Sequence, residues 1–160
     1  MKTAAKKAAA KPADVEEQVQ GFIDKFDEKN QALIRSVRIA LRKRFATAHE
    51  LVYDNYQFFV IGYSPTERPT DSVLSMTADA NGVSIMFPYV GAKMPDPHKL
   101  LQGSGGSNRF VRMESAAKLA KPEVVDLIEA AVALRKPLPE SGRGKTVIRA
   151  VAPKQRSRRK

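Results

Sequence analysis

Four acids near the start of the chain are spaced to do chemistry together. At the roughly 100° per residue of a 3.6-residue helical turn, Asp14, Glu17, Asp24 and Glu28 fall opposite an apolar stripe. Asp24 and Glu28 stand one turn apart, where two carboxylates can share a hard cation such as Fe2+. An exposed, under-coordinated acidic ridge binds such a cation weakly and releases it easily, which suits a carrier better than an enzyme. The plainer account is a solvated helix face whose acids pair with Lys25, Lys29 or the arginines of the next helix.

Four further groups invite the same double reading. The run Gly103-Ser104-Gly105-Gly106-Ser107-Asn108 can present backbone N–H groups to an anion, with Arg109 and Arg112 close by. Gly103, Gly105, Arg109 and Arg112 are therefore the candidate anion site, or the centre of an enzyme. Phosphate loops usually open a helix and often carry a lysine, however, and this one leads into a strand, so a connector is the plainer account. The aromatics Tyr53, Tyr56, Phe58, Phe59 and Tyr63 could stack bases. No Lys or Arg lies within residues 51–63, though, and phosphate attraction requires them, so core packing is expected, with Asp54 and Asn55 as a turn. His49 and His98 have no serine or acid at the spacing of a triad or a ligand set. The basic end, with Lys154, Arg156, Arg158, Arg159 and Lys160, is expected as a solvated tail. Such a tail can hold nucleic acid non-specifically by counterion release, or touch anionic lipid.

The elements that must position these residues follow from the apolar periods. Val15, Val19, Phe22, Ile23 and Phe26 recur at three- and four-residue steps, which predicts a helix from a capping box at Asp14 and Glu17 to about Glu28. A second helix starts at Asn30. It buries Leu33, Ile34, Val37, Leu41 and Phe45 and turns Arg35, Arg38 and Arg42 outward. Short β-branched and aromatic runs at Leu51–Tyr53, Gln57–Tyr63, Ser72–Ala78, Val83–Phe87 and Phe110–Met113 read as strands, and Asn81-Gly82 signals a hairpin. A last helix starts at Pro122 and buries Val125, Ile128, Ala131 and Val132. Thr146–Val151 is briefly β-like without an obvious partner. The order predicts an α+β fold, a mainly antiparallel sheet with two N-terminal helices and one C-terminal helix.

The 160 residues suit one domain, expected at 14–136, with a disordered basic N-terminal tail at 1–13 and a largely disordered basic tail at 137–160. The net charge is +11, but residues 1–13 and 141–160 hold twelve of the 28 basic residues and no acid. The segment between them is nearly neutral, with 16 basic residues against 17 acidic, so the excess charge is expected on the ends rather than on the fold. There is no cysteine, which excludes disulfides and thiolate chemistry. No apolar run is long enough for a membrane span, and the start lacks the apolar core of a secretory signal, so the cytoplasm is expected. An uncovered apolar sheet face would point to a homodimer.

Residues 14–135 resemble the YdhG-like family, a bacterial group known mainly as a domain of unknown function. The resemblance rests on the helix pair before Glu50-Leu51-Val52-Tyr53, the Asn-Gly hairpin, and Lys99-Leu100-Leu101-Gln102-Gly103-Ser104-Gly105 followed by Arg109-Phe110-Val111-Arg112 and a closing helix. The chain departs from the family pattern at Asp54, Tyr56 and Gly106. The resemblance implies a frataxin-like α+β fold. It also implies, from one branch of the family, a cytosolic iron chaperone with an iron-using protein as partner; here the carrier residues would be Asp14, Glu17, Asp24 and Glu28. With no base–nucleophile pair in view, a non-enzymatic binding protein leads. A nucleic-acid-associated protein acting through its tails comes second, and a small-anion binder or enzyme at Gly103–Arg112 third.

Overall fold

The computed structural model describes residues 11–160. The expected N-terminal tail lies outside them, apart from its last three residues. Helix α1 spans Pro12–Ile23, with Pro12 in the first turn, where its missing N–H costs nothing. Asp14 sits in that first turn and favours the positive end of the helix dipole; no side chain caps the end, so the expected capping box does not form. Val15, Val19, Phe22 and Ile23 are its buried stripe. The helix stops short of Glu28 because Phe26 turns fully into the core, and the side-chain amide of Gln31 holds the Phe26 carbonyl at 2.8 Å. Helix α2 then runs Glu28–Arg44.

Six strands follow the order β5-β4-β3-β2-β1-β6, with β1 His49–Asp54, β2 Phe59–Ser64, β3 Leu74–Asp79, β4 Gly82–Phe87, β5 Arg109–Met113 and β6 Thr146–Val151. All neighbours are antiparallel except β6, which lies parallel to β1. Helix α3, Pro122–Leu134, completes the layer packed on one sheet face. The predicted α+β architecture is the observed one. Ala80 and Asn81 make the hairpin turn, and Gly82, at φ +136°, takes a backbone conformation that a side chain would strain. On α3 the stripe is rotated from the expected one. Val124, Leu127, Ile128 and Ala131 are the buried residues, while Val125 and Val132 are only partly covered.

The inward face of the sheet alternates as its two-residue period requires. Val52, Phe59, Ile61, Tyr63, Leu74, Met76, Val83, Ile85, Val111 and Met113 join the helices in one core. Tyr53, Phe58 and Tyr56 do not belong to it, so the expected aromatic core is only half realised: Phe59 and Tyr63 are buried, and Tyr56 stays 54% exposed. Among the described residues, no helix is long and apolar enough to cross a membrane.

The expectation of a loose tail at 137–160 is corrected. Thr146–Val151 forms an edge strand, and its partner, invisible in local sequence, is β1, nearly a hundred positions earlier. Beyond it the Gln155 side-chain amide donates to the Asp54 carbonyl, and Arg158 is 3% exposed. The excess charge is therefore part of the folded body: residues 11–160 hold 25 basic residues against 17 acidic.

Gly144 makes the entry to β6 possible. Its N–H donates to the Ala46 carbonyl at 3.1 Å, and a Cβ placed on it would run into the backbone carbonyl of Ala48. Gly144→Ala is expected to lower stability by about 1–3 kcal/mol, since rigid backbone must move, as in overpacked cores. Urea unfolding checks this, with Gly105→Ala, which meets open space, as the near-neutral control.

Candidate functional site

Helices α1 and α2 diverge around a cavity of about 590 Å3. Its wall is the outer stripe of α2, where Arg35, Arg38, Ile39, Arg42 and Lys43 recur at helical spacing. Glu16 and Gln20 close it from α1, and Arg143 from the segment before β6. Five cationic side chains thus converge on one opening.

Beneath the cleft lies a buried ionic cluster. Glu50 points inward from β1 and is 0% exposed. Arg38 donates to its two carboxylate oxygens at 3.0 and 2.9 Å, the Tyr63 hydroxyl donates at 2.9 Å, and Thr146 Oγ1 donates at 2.8 Å. Arg38 also forks onto both oxygens of Glu16 at 2.8 Å. Arg38 is therefore not on an outward face, as its helical position suggested: it lies under α2 because only there can it meet an acid that the sheet buries. Burial alone would raise the Glu50 pKa, but the Arg38 hydrogen bonds and charge more than reverse this and hold it below the usual carboxylate range. Glu16 is lowered chiefly by its Arg38 hydrogen bonds. Burial in the same cluster, followed by the Glu50 charge, pushes the Tyr63 hydroxyl well up.

The compensation is incomplete at the cleft. Arg42 Nη2 donates to the Gly144 carbonyl at 3.2 Å, while Nη1 is buried with no hydrogen-bond partner, 3.7 Å from Glu50. That distance is an ion pair but too long for a hydrogen bond. Among the described residues, neither Lys43 nor Arg143 has a carboxylate within ion-pair distance. Three of the five cations are thus held by acids and two face the cavity free.

The residues singled out by sequence are dispersed. Asp14, Glu17, Asp24 and Glu28 are exposed; Asp24 is held by Arg35 Nη2 at 2.7 Å. Among the described residues no three carboxylates or imidazoles converge as a metal set would. In the glycine-rich loop it is the carbonyls of Gly105 and Asn108 that meet Arg109 Nη1, at 2.7 Å each. A loop that turns carbonyls onto a guanidinium is organised around a cation, the reverse of a phosphate cradle. Arg112, one sheet face away from Arg109, leaves this loop and donates to the Asn81 carbonyl and to Ser84. Of the basic end, Arg158 pairs with buried Asp54 at 2.8 Å and also donates to the carbonyls of Gln57 and Asn55. Arg159 approaches Asp27 at 3.7 Å. Lys154 and Arg156 remain exposed. His49 Nδ1 accepts the Lys145 N–H at 3.0 Å, a structural role, and His98 is exposed.

Sequence reasoning missed the cleft because its cations come from α2 and from the segment before β6, a hundred residues apart. The available signal was Arg35, Arg38, Arg42 and Lys43 on one helix with few acids among them. No family model matches the chain, and neither a curated protein nor a solved structure matches it.

Proposed function

We propose that this chain is a non-catalytic binding protein for a phosphate- or carboxylate-bearing anion, which it seats in the cleft between α1 and α2. The observation that carries this reading is the convergence of Lys43, Arg143 and the under-compensated Arg42 on one cavity of about 590 Å3, a size ordinary for a small-molecule site. Lys43 and Arg143 are the contacts that an entering anion meets first. Arg38 and Glu50 fix the floor, and Glu16 on the rim is the internal carboxylate that already occupies part of the positive field. No nucleophile with an adjacent base lines the cleft, which supports binding rather than turnover.

The iron-carrier reading suggested by the family resemblance has weaker geometric support, because Asp24 is already paired and the other ridge acids stay apart from it in solvent. The nucleic-acid reading loses Arg158 from its tail and keeps the exposed Lys154 and Arg156.

Calorimetric titration with pyrophosphate tests the proposal. Wild type is expected to bind it saturably with one site, and a Lys43→Met, Arg143→Met double variant to bind at least about tenfold more weakly, since each charge-assisted hydrogen bond contributes about 1.5–3 kcal/mol. Both side chains are exposed, so the variant should keep its unfolding midpoint. Equal affinity in the two proteins, or no saturable binding by wild type, removes the reading.

A further inference from the structure

The sheet face turned away from the helices carries a second cavity, of about 460 Å3, and its chemistry differs from that of the cleft. Its floor is apolar: Phe58, Val60, Met86 and Phe110 line it. Strand registers fix what stands across this floor. Val60 faces Thr77, Thr77 faces Ser84 and Ser84 faces Arg112, one cross-strand row from β2 to β5. A planar apolar body lying on the two phenylalanines therefore has hydroxyls along one side and a guanidinium at the end of the row.

The polar groups at that end are only partly engaged. Arg112 donates to the Asn81 carbonyl at 2.7 Å and to the Ser84 hydroxyl at 3.2 Å, which uses two of its five N–H donors. Among the described residues, no carboxylate lies within ion-pair distance of it. Gly82 beneath it is a glycine of necessity, since a Cβ there would press on Arg112 Nη2 at 3.2 Å. Asp79, in the same lining, gives one oxygen to the Asn81 N–H at 2.9 Å. Its other oxygen and the Thr77 hydroxyl have no protein partner among the described residues. A simple organic acid would use Arg112 and the floor but would leave the Asp79 carboxylate facing it. A ligand with a flat ring, an edge of N–H donors and a separate anionic group satisfies all of them.

We propose that this cavity seats a nucleotide, with the base flat against Phe110 and Phe58, its N–H edge on Asp79 and Thr77, and its phosphate on Arg112. Aromatic side chains on a sheet stack bases whatever their sequence, and a nearby arginine supplies the phosphate contact. The surplus of basic over acidic residues in the folded body draws such a ligand in. The same chemistry is offered by a free nucleotide and by one unit of a single strand. The site is on the opposite sheet face from the α1–α2 cleft and stands whether or not the cleft binds an anion.

Amide chemical shifts of the full chain decide it, read during separate titrations with GMP, guanosine, inorganic phosphate and a single-stranded hexanucleotide. GMP and the hexanucleotide are expected to move the amides of Thr77, Asp79, Asn81 and Phe110, and phosphate alone is expected to leave them in place. A hexanucleotide that binds tighter than GMP identifies a single strand as the source; the reverse order identifies the free nucleotide. Phe110→Ala is expected to weaken GMP about tenfold, in line with the loss of one base–aromatic stack. Thr77→Phe, which fills the cavity with a good strand former, should abolish the shifts at an unchanged melting temperature. Arg112→Met should bring GMP down to the affinity of guanosine and leave guanosine unchanged. The proposal is overturned if no nucleotide moves these amides, if the shifts survive Thr77→Phe, or if Arg112→Met weakens guanosine and GMP alike.

Discussion

Glu50→Ala is expected to cost about 3–5 kcal/mol, the range for removing one partner of a buried ion pair, and thus to remove much of the stability of a domain of this size. The loss has three parts. Arg38 stays under α2 with only the half-exposed Glu16 to compensate it; the buried Tyr63 hydroxyl loses its acceptor; and Thr146 loses the bond that fastens the start of β6. Glu50→Gln keeps the shape and an acceptor for Tyr63 and should cost clearly less. Urea unfolding of the two variants measures the difference. The same cluster sets a pH dependence. Glu50, Glu16 and Asp54 all have folded pKa values below their unfolded ones. Their contribution is therefore complete above the unfolded values, 4.5 for Glu and 3.8 for Asp, and is lost as pH falls through the lower folded values. Wild type should lose stability steeply below about pH 4, and Glu50→Gln less steeply. Equal slopes would show that Glu50 does not carry this dependence.

Arg158→Met is expected to cost about 3 kcal/mol, at the lower end of that range, because Asp54 keeps Lys25 at 2.7 Å. Asp54 is 0% exposed and would otherwise hold an uncompensated charge. Burial raises its pKa, and the hydrogen bonds from Lys25 and Arg158 bring it below normal. Removal of residues 153–160 should cost as much as the single substitution or somewhat more, since Gln155 and the stacking of Arg158 near Phe26 go with it. A truncated chain with an unchanged unfolding midpoint would mean that the C-terminal segment contributes nothing to the body. It would then be free to act as the polyanion-binding tail that its composition suggests.

These two residues show where sequence reasoning reached and where it stopped. The apolar periods located all three helices and the first five strands, because each period reports a single buried face and needs no knowledge of the partner. The Asn-Gly turn worked for the same reason: its chemistry is local. Strand β6 failed that test. Its sequence is β-like, but the parallel edge it fills is set by β1, and a parallel partner leaves no turn signal between them. The inward acids were legible in part. Glu50, Val52 and Asp54 alternate on one face of β1, so an apolar residue between two acids on that face already implied that each acid needs a buried cation. Which cations those are was not legible, because Arg38 and Arg158 reach them from 12 and 104 positions away. The cleft follows from the same rule. Once Glu50 fixes Arg38 and Thr146, the strand entry at Gly144 lies beside α2, and Arg143 arrives next to Arg42 and Lys43. The glycine-rich loop misled for the opposite reason: its composition permits an anion cradle, and only the direction of its carbonyls toward Arg109 rules on it.

The central claim is that positive charge gathered by the fold between α1 and α2 forms a binding seat. The most direct measurement is the amide chemical-shift map of the wild-type chain on addition of pyrophosphate. The account predicts shifts clustered on Arg35–Lys43 and on Gly142–Lys145 and absent from the glycine-rich loop. Shifts confined to residues 153–160, or spread evenly over the basic surface, would contradict it.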